Sequence, residues 1–193
     1  MIKIKFLKLN SNSSELHKQD FERLVLLYGA ELDSHQNRNT PKEILIKWAN
    51  SMINIQGDID RHLELCYDDD ILIGFIYGKI DHPDHKGYIK VGYGYIMEFY
   101  VLPEFRRKGY GKQMYSHLEE LLMMDGAKGL YLTSDPITGR PFWEAMGYTS
   151  TGEKSSENNQ EIYDPRKIIS SGEENIKKVI KDKLHILGSF NKI

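Results

Sequence analysis

Hydrophobic residues follow a strand period at the start of the chain and a helical period soon after it. Ile2, Ile4 and Phe6 alternate with lysines, which predicts a strand with one buried face. Apolar residues then recur at helical spacing, which predicts a helix from Ser14 to Gly29. A second helix is predicted to begin at Thr40, with the Thr40 side chain as its N-cap.

The rest of the pattern predicts a mixed sheet flanked by helices. Two neighbouring strands are predicted at 61–67 and 71–80, and a long strand from Tyr88 to Val101. Shorter elements follow, namely helices at 109–124 and 139–146 and strands at 128–134, from Tyr148 onwards and at 161–163. This order predicts an α/β (α+β) fold with a central sheet of six to seven strands, in one domain that spans residues 1–164.

The segment 165–193 has the pattern of an extra C-terminal amphipathic helix. Its apolar positions recur at helical spacing, at Ile176, Val179, Ile180, Leu184 and Leu187. Such a stripe has to be buried, so the extension is expected to pack on its own domain or on a partner subunit in a homodimer.

Composition and charge narrow the class of protein. Hydrophobic residues make up 40% and charged residues 28% of the 193 residues, as in ordinary globular proteins. The formal net charge of -2 argues against a nucleic-acid partner. A single cysteine, Cys66, excludes an intrachain disulfide, and no apolar run is long enough to cross a membrane. We therefore expect a cytoplasmic protein with neither nucleic acid nor membrane as a partner.

A basic turn with two glycines follows the long strand and precedes a predicted helix. It comprises Arg106, Arg107, Lys108, Gly109, Tyr110, Gly111 and Lys112. Glycines let the backbone approach a ligand, and the free N–H groups of a helix start attract an anion. Gln113 stands where a P-loop needs Ser or Thr, and Met114 where a dinucleotide fingerprint needs a third glycine. The turn therefore predicts a site for a different phosphate-bearing ligand.

Two motifs together resemble those of a known family. The turn reads R-x-x-G-x-G after V-x-P, and the aromatic segment Phe142-Trp143-Glu144-Ala145-Met146-Gly147-Tyr148 lies downstream. In this order they resemble the GNAT superfamily (Gcn5-related N-acetyltransferases), and the resemblance extends over residues 1–164. It implies the GNAT fold and transfer of an acetyl group from acetyl-CoA to an amine acceptor by direct attack.

The resemblance also implies roles for individual residues. Backbone groups of Phe99, Tyr100 and Val101 would bind the pantetheine arm, and the turn from Arg106 to Lys112 would hold the pyrophosphate. Phe142 and Trp143 would pack against the cofactor arm or in the core. No metal is implied, and the pattern Asp81-His82-Pro83-Asp84-His85 is interpreted as a polar loop because no third cluster lies at ligand spacing.

Proton transfer leaves more than one interpretation open. Glu98, an acid in an apolar and aromatic run, is the candidate general base, and positioning of the substrate ammonium is an equally open role. Many family members have a tyrosine where this chain has Trp143, and an indole does not release its proton. Tyr131, Tyr148 or Tyr110 is then expected to protonate the CoA thiolate, or solvent does so.

The acceptor is not identified by the sequence. Glu31, Asp33 and Asp81 lie in segments that bind the acceptor in this family, and they would attract a cationic amine. Two other classes stay open. One is a catalytically silent acyl-CoA-binding module, favoured by Trp143. The other is an interaction domain that uses the basic turn for phosphate backbone, which the net charge disfavours.

Overall fold

A computed structural model describes residues 3–55, 60–156 and 159–165. Within these residues the chain forms seven strands and four α-helices. The strands are β1 (Ile4–Lys8), β2 (Arg61–Asp68), β3 (Ile71–Ile80), β4 (Gly94–Val101), β5 (Leu130–Thr133), β6 (Tyr148–Lys154) and β7 (Glu161–Pro165). The helices are α1 (Glu15–Gln36), α2 (Lys42–Asn54), α3 (Tyr110–Met124) and α4 (Gly139–Ala145), and a short 3₁₀ turn spans Pro103–Phe105.

The seven strands form one sheet in the order β1-β2-β3-β4-β5-β7-β6. Strands β4 and β5 pair in parallel, and the other neighbouring strands pair antiparallel. Helices cover both faces, because α1 and α2 pack on one and α3 and α4 on the other. The predicted fold class, a mixed sheet of six to seven strands flanked by helices, is confirmed. The predicted helix in the C-terminal extension lies outside the described residues.

Each face of the sheet buries its own hydrophobic core. Met114, Leu118 and Leu122 of α3 pack on one face, as their helical spacing predicts. Phe21, Leu24 and Val25 of α1 pack on the other. Pairing satisfies the backbone polar groups between neighbouring strands, and the buried side chains on both faces are mostly apolar.

Three element boundaries differ from the sequence prediction. Helix α1 continues past Gly29 to Gln36, because a side chain at Gly29 would lie 2.6 Å from the Leu45 side chain, so this glycine serves the contact with α2. Thr40 is not the N-cap of α2, since its hydroxyl donates to Asp33 at 2.9 Å. Strand β4 begins at Gly94, and residues 88–93 form turns instead of strand.

The turns before β4 are held by one acidic residue. Asp81 accepts a hydrogen bond from the Lys90 N–H at its Oδ2, at 2.9 Å, and another from the Gly92 N–H at its backbone oxygen, at 2.8 Å. These bonds replace a strand ladder, which explains why the alternating apolar pattern of this segment does not produce one. No helix in the described part of the chain has the length and apolar character to cross a membrane.

Candidate functional site

The two central strands separate halfway along their length and leave an opening. Strand β4 pairs with β3 along its whole length but with β5 only through Gly94, Tyr95 and Ile96. From Met97 to Val101, no described strand pairs with the β5 side of β4. This stretch is called the open edge below. An open strand edge offers unpaired N–H and C=O groups to an extended, amide-containing ligand.

The direction of the backbone groups along the open edge follows from one neighbouring bond. The Leu102 N–H donates to the Ile73 carbonyl of β3, at 2.9 Å. Successive residues of a strand direct their backbone groups to opposite edges. Val101 and Phe99 therefore direct theirs to the open edge, whereas Tyr100 directs its groups to β3. Of the three residues predicted to bind the pantetheine arm, Phe99 and Val101 thus have backbone groups directed there, and the Val101 carbonyl already accepts from Arg106 Nε.

A β-bulge sets which side chains accompany the open edge. Tyr77 of β3 pairs with Glu98 and Gly78 pairs with Ile96, so Met97 has no partner in the ladder. A bulge of this kind puts two successive side chains on the same face. Met97 packs against the core under α1 and α2, and Glu98 reaches Tyr28 of α1 on that same face. Phe99 points to the opposite face.

Glu98 is a half-buried acid with a single hydrogen-bond donor. The Tyr28 hydroxyl donates to its Oε2 at 2.9 Å, and among the described residues no donor contacts Oε1. Burial raises the pKa of Glu98 from its ordinary value to about 7, although the Tyr28 hydrogen bond lowers it. A carboxyl group with this pKa accepts and releases a proton near neutral pH, which is the property required of a general base.

Helix α1 contributes three side chains from one of its faces. Tyr28, Glu31 and His35 follow at spacings of three and four residues, which aligns them on a helix. Both Glu31 oxygens accept from the Arg106 guanidinium, at 3.0 and 2.7 Å. His35 Nδ1 lies 3.3 Å from Asp135 Oδ1, beyond the end of β5. These contacts hold α1 across the opening between β4 and β5.

Tyr28 is a site residue that the sequence pattern did not reveal. It continues the apolar stripe of Phe21, Leu24 and Val25, so its spacing indicates a core residue. The ring is indeed in contact with Phe75 and Tyr100, at centroid distances of 5.9 and 5.2 Å. Only the fold brings its hydroxyl to Glu98, 70 residues further along the chain.

The glycine turn contains two residues in the left-handed backbone region. Arg107 has φ 61° and Gly109 has φ 94°, and α3 begins immediately afterwards at Tyr110. Positive φ is uncommon outside glycine, and such strain is typical of functional loops. The first N–H groups of α3 have no partner within the helix, and its first turn carries no acidic side chain. The turn is therefore suited to an anion.

Not every basic side chain of the turn contributes charge to that spot. Arg107, Lys108 and Lys112 are exposed. Arg106 instead donates from Nε to the Val101 carbonyl at 2.8 Å and from its other nitrogens to Glu31. Its side chain thus lies on the face of α1, and only its backbone belongs to the turn. The Tyr110 side chain is also directed inward, and its hydroxyl donates to Asp68.

The predicted aromatic residues of α4 separate into two positions. Phe142 stacks on Phe99 of the open edge, with ring centroids 5.4 Å apart. A side chain at Gly111 would lie 3.0 Å from the Phe142 ring, so this glycine admits Phe142 beside the start of α3. Trp143 is buried in the core and contacts Tyr115 and Tyr148.

Of the three tyrosines predicted as proton donors, Tyr131 and Tyr148 are fully buried. The Tyr131 hydroxyl donates to Asp81, and the Tyr148 hydroxyl lies 3.3 Å from that of Tyr115. Burial, with the nearby acidic and phenolic groups, raises the pKa of both hydroxyls well above the usual value near 10. The geometry does not bring either hydroxyl to the open edge, and their role as acids stays a prediction.

No metal centre forms among the described residues, where no group of three or more His, Cys, Asp or Glu side chains is placed to hold an ion. The Asp81–His85 loop instead forms a charge cluster: Asp81 Oδ1 lies 3.1 Å from Lys79 Nζ. Burial, reinforced by the Lys79 and Arg61 charges, lowers the pKa of His85, which keeps this imidazole neutral.

Comparisons with known proteins agree with this geometry. The model of the acetyltransferase (GNAT) family matches residues 26–148, which include the second half of α1, the open edge, the glycine turn and α4. A search of curated proteins found no match to the sequence. The structure is similar to solved structures, described next, at sequence identities that speak for the fold alone.

Three of these structures illustrate the similarity. The PaiA N-acetyltransferase of Thermoplasma acidophilum, in complex with coenzyme A, is 18% identical over 85% of this chain and 99% of its own, with a TM-score of 0.58. A GNAT-family acetyltransferase of Staphylococcus aureus Mu50 is 13% identical over 84% of this chain and 98% of its own, with a TM-score of 0.62. AAC(6')-Iy, bound to the bisubstrate analogue CoA-S-monomethyl-acetylneamine, is 16% identical over 78% and 94%, with a TM-score of 0.56.

Proposed function

The chain belongs to the acetyltransferase (GNAT) family, and on this premise we propose that it is an N-acetyltransferase of small or medium-sized amines. It would move the acetyl group of acetyl-CoA to a primary amine. One observation carries the proposal. The open edge of β4 contains an acid with a pKa of about 7, Glu98, and is followed by the glycine turn and the start of α3, whose first N–H groups have no partner within the helix. The same five residues of β4 would thereby bind the acyl donor and provide the base.

Acetyl-CoA fits the residues along this path. Its pyrophosphate would accept hydrogen bonds from the first N–H groups of α3, beside the exposed Arg107, Lys108 and Lys112. Its pantetheine arm contains amides that would pair with the backbone of Phe99 and Val101. The coenzyme A complex of the similar Thermoplasma acidophilum enzyme supports this donor.

The acceptor would approach from the face of α1, where Glu98 lies. Glu98 takes a proton from the ammonium group, directly or through a water, and the neutral amine attacks the thioester carbonyl carbon. A backbone N–H of the open edge stabilises the oxyanion that forms. The carbon–sulfur bond then breaks and the attacking nitrogen gives its second proton to solvent, which leaves the amide and the CoA thiolate. Tyr28 holds Oε2 of Glu98, so that Oε1 is left for the proton.

Protonation of the thiolate would rely on solvent. Trp143 stands where many family members have a tyrosine, and it is buried in the core. Tyr131 and Tyr148 bond to other buried groups, and their raised pKa values make them weak acids. A thiolate has a conjugate-acid pKa of about 8.5 and leaves without a proton near neutral pH.

The same Trp143 favours a second candidate function, a catalytically silent acyl-CoA-binding module. In that case acetyl-CoA would bind and no amine would release its thiol. Glu98 argues for catalysis, because a carboxyl group with a raised pKa and an oxygen without a donor beside an opening is typical of a catalytic acid or base.

Calorimetric titration with acetyl-CoA, combined with thiol release in the presence of an amine panel, tests the proposal. We expect micromolar binding by the wild-type protein and a loss of at least about tenfold in Arg107→Glu, since phosphate contacts depend on positive charge. Lys154→Glu is the matched control, because Lys154 is an exposed cation of β6 outside the turn.

Three outcomes separate the candidates. Binding with amine-dependent thiol release supports the transferase, and binding without release by any amine supports the silent module. No binding by a folded protein, or an equal loss in both charge variants, contradicts the proposed donor site.

A further inference from the structure

The acidic side chains around the opening on the α1 face are nearly all paired within the protein. Both Glu31 oxygens accept from Arg106. Asp135 contacts His35 with Oδ1 and accepts with Oδ2 from the N–H and hydroxyl of Thr138, at 2.7 and 3.0 Å. Their charges and lone pairs are already used, so they have little left to offer a cationic ligand.

The other two acids of the predicted acceptor segments are also engaged. Asp33 accepts from the N–H and hydroxyl of Thr40, and Arg38 Nε lies 3.5 Å from its Oδ1. Asp81 is fully buried beneath its loop and is bonded to Lys79 and Tyr131. Neither can reach an acceptor. The sequence-based expectation that Glu31, Asp33 and Asp81 attract a cationic acceptor therefore has no support in the geometry.

What remains beside Glu98 is aromatic and apolar surface. Tyr95 and Met97 lie on the same face of β4 as Glu98, and both are half-buried. The Tyr95 ring is held by stacking on Tyr131, with centroids 4.6 Å apart and planes inclined by 8°. Its hydroxyl lies 3.2 Å from the Thr133 hydroxyl at the end of β5. The Glu98 face of β4 thus also carries a fixed ring and a thioether.

We infer that the acceptor is an amine with a single ammonium group on an aromatic or apolar body, and not a polyamine or an aminoglycoside. This inference rests on the proposed function. Among the described residues around the opening, one carboxylate, Glu98, has an oxygen free to meet one ammonium group. A second ammonium would lose water without gaining a carboxylate, and it would face the Arg106 guanidinium group. An aromatic body, in contrast, gains contact with Tyr95 and Met97.

Steady-state thiol release with matched amines tests the inference. The panel is 2-phenylethylamine, ethylamine, spermidine and neamine, each assayed with acetyl-CoA at pH 8. We expect kcat/KM for 2-phenylethylamine to exceed that for each of the other three by at least about tenfold. Spermidine or neamine as the best acceptor would overturn the inference and leave the proposed function intact. Thiol release with none of the four would overturn both.

A pair of variants tests the physical reason. Arg106→Gln frees the Glu31 carboxylate for a second ammonium, so the ratio of kcat/KM for spermidine to that for 2-phenylethylamine should rise about tenfold. Arg38→Gln is the control, because Asp33 keeps both hydrogen bonds from Thr40 and the ratio should not change. A ratio is used because any general damage to the site cancels in it. An unchanged ratio in Arg106→Gln contradicts the role of the paired acids.

Discussion

Glu98 and Asp81 are two acidic residues at the same sheet whose hydrogen-bond and charge partners differ. Asp81 is fully buried, with Lys79 Nζ at 3.1 Å, the Lys90 N–H at 2.9 Å and the Tyr131 hydroxyl bonded to it. Glu98 is half-buried and has one neutral donor, Tyr28. Asp81 Oδ2 has two donors, and Asp81 Oδ1, which accepts no hydrogen bond, lies beside the Lys79 ammonium. Glu98 has only the Tyr28 hydroxyl as a partner among the described residues.

The comparison shows how one fold builds a structural acid and a reactive one. Cations and N–H groups compensate for the loss of water around Asp81, which then ties a loop to the sheet. At Glu98 compensation is partial, so burial raises the pKa and leaves one oxygen for a ligand. The reactive acid differs from the structural one because its described neighbours include a neutral donor, Tyr28, and no paired cation.

Removal of the structural acid should have the largest effect. Asp81→Asn leaves the buried Lys79 ammonium without its counter-charge, which typically costs about 3–5 kcal/mol of unfolding free energy. Urea denaturation at pH 7 measures this loss. Asp84→Asn, an exposed acid of the same loop, is the control and should stay within about 0.5 kcal/mol of wild type. A loss below about 1 kcal/mol in Asp81→Asn would remove the contrast between the two acids.

Glu98→Gln should reduce catalysis and leave the fold intact. At pH 8 we expect kcat to fall about 100-fold, within the range of general-base contributions. Wild-type Glu98 is protonated below its pKa of about 7, so the two rates should converge as the pH falls below about 6. The pH–rate profile with a fixed amine measures this.

Acetyl-CoA affinity in Glu98→Gln, measured by calorimetry, should equal that of wild type. A constant fractional loss of rate across the whole pH range would show that Glu98 positions the ammonium and does not take its proton.

The same substitution should stabilise the protein above neutral pH. The pKa of Glu98 is raised from 4.5 to about 7 on folding, so its contribution to stability is complete below about pH 4.5 and is lost as the pH rises through 7. Glutamine has no charge to bury. Relative to wild type, Glu98→Gln should therefore gain on the order of 1–2 kcal/mol in unfolding free energy between pH 5 and pH 8. Equal differences at both pH values would contradict the raised pKa.

Loss of the Tyr28 hydroxyl should have the smallest effect. Its hydrogen bond favours the charged form of Glu98, so Tyr28→Phe should move the pKa in the rate profile above 7. We expect kcat to fall about three- to tenfold at pH 7 and to recover near pH 9. Tyr67→Phe removes another tyrosine–carboxylate bond, to Asp20 at 3.0 Å, and should leave the profile unchanged. A uniform loss at every pH would indicate a purely structural role for Tyr28.

Local patterns predicted the fold well wherever local forces decide. The hairpin of β2 and β3, helix α3 and the glycine turn depend on periodicity and turn residues close together in the chain. The start of β4 was wrong because Asp81 holds residues 88–93 in turns through bonds to Lys90 and Gly92. The predicted end of α1 was wrong because Gly29 makes room for the Leu45 side chain and does not end the helix.

Only the glycine turn of the candidate site was predictable, because the local backbone conformation forms it. The turn from Arg106 to Lys112 is visible in the sequence because glycine spacing reports backbone shape directly. The partners of Glu98 and Arg106 are not, since Tyr28 and Glu31 come from a helix about 70 residues earlier. Burial of Tyr131 and Tyr148 is likewise a tertiary property, which residue type alone does not report.

The bulge at Met97 determines on which face of the sheet Glu98 lies. Along a regular strand, odd-numbered and even-numbered residues lie on opposite faces. One extra residue outside the ladder reverses this assignment for the residues that follow it. If Met97 instead took a regular place in the ladder, every side chain of the site and every hydrogen-bonding group of the strand end would still be present. Relative to Ile96, however, Glu98 and Phe99 would exchange faces, so neither could keep its present neighbours. In this strand, the number of paired residues determines the position of the acid as much as residue identity does.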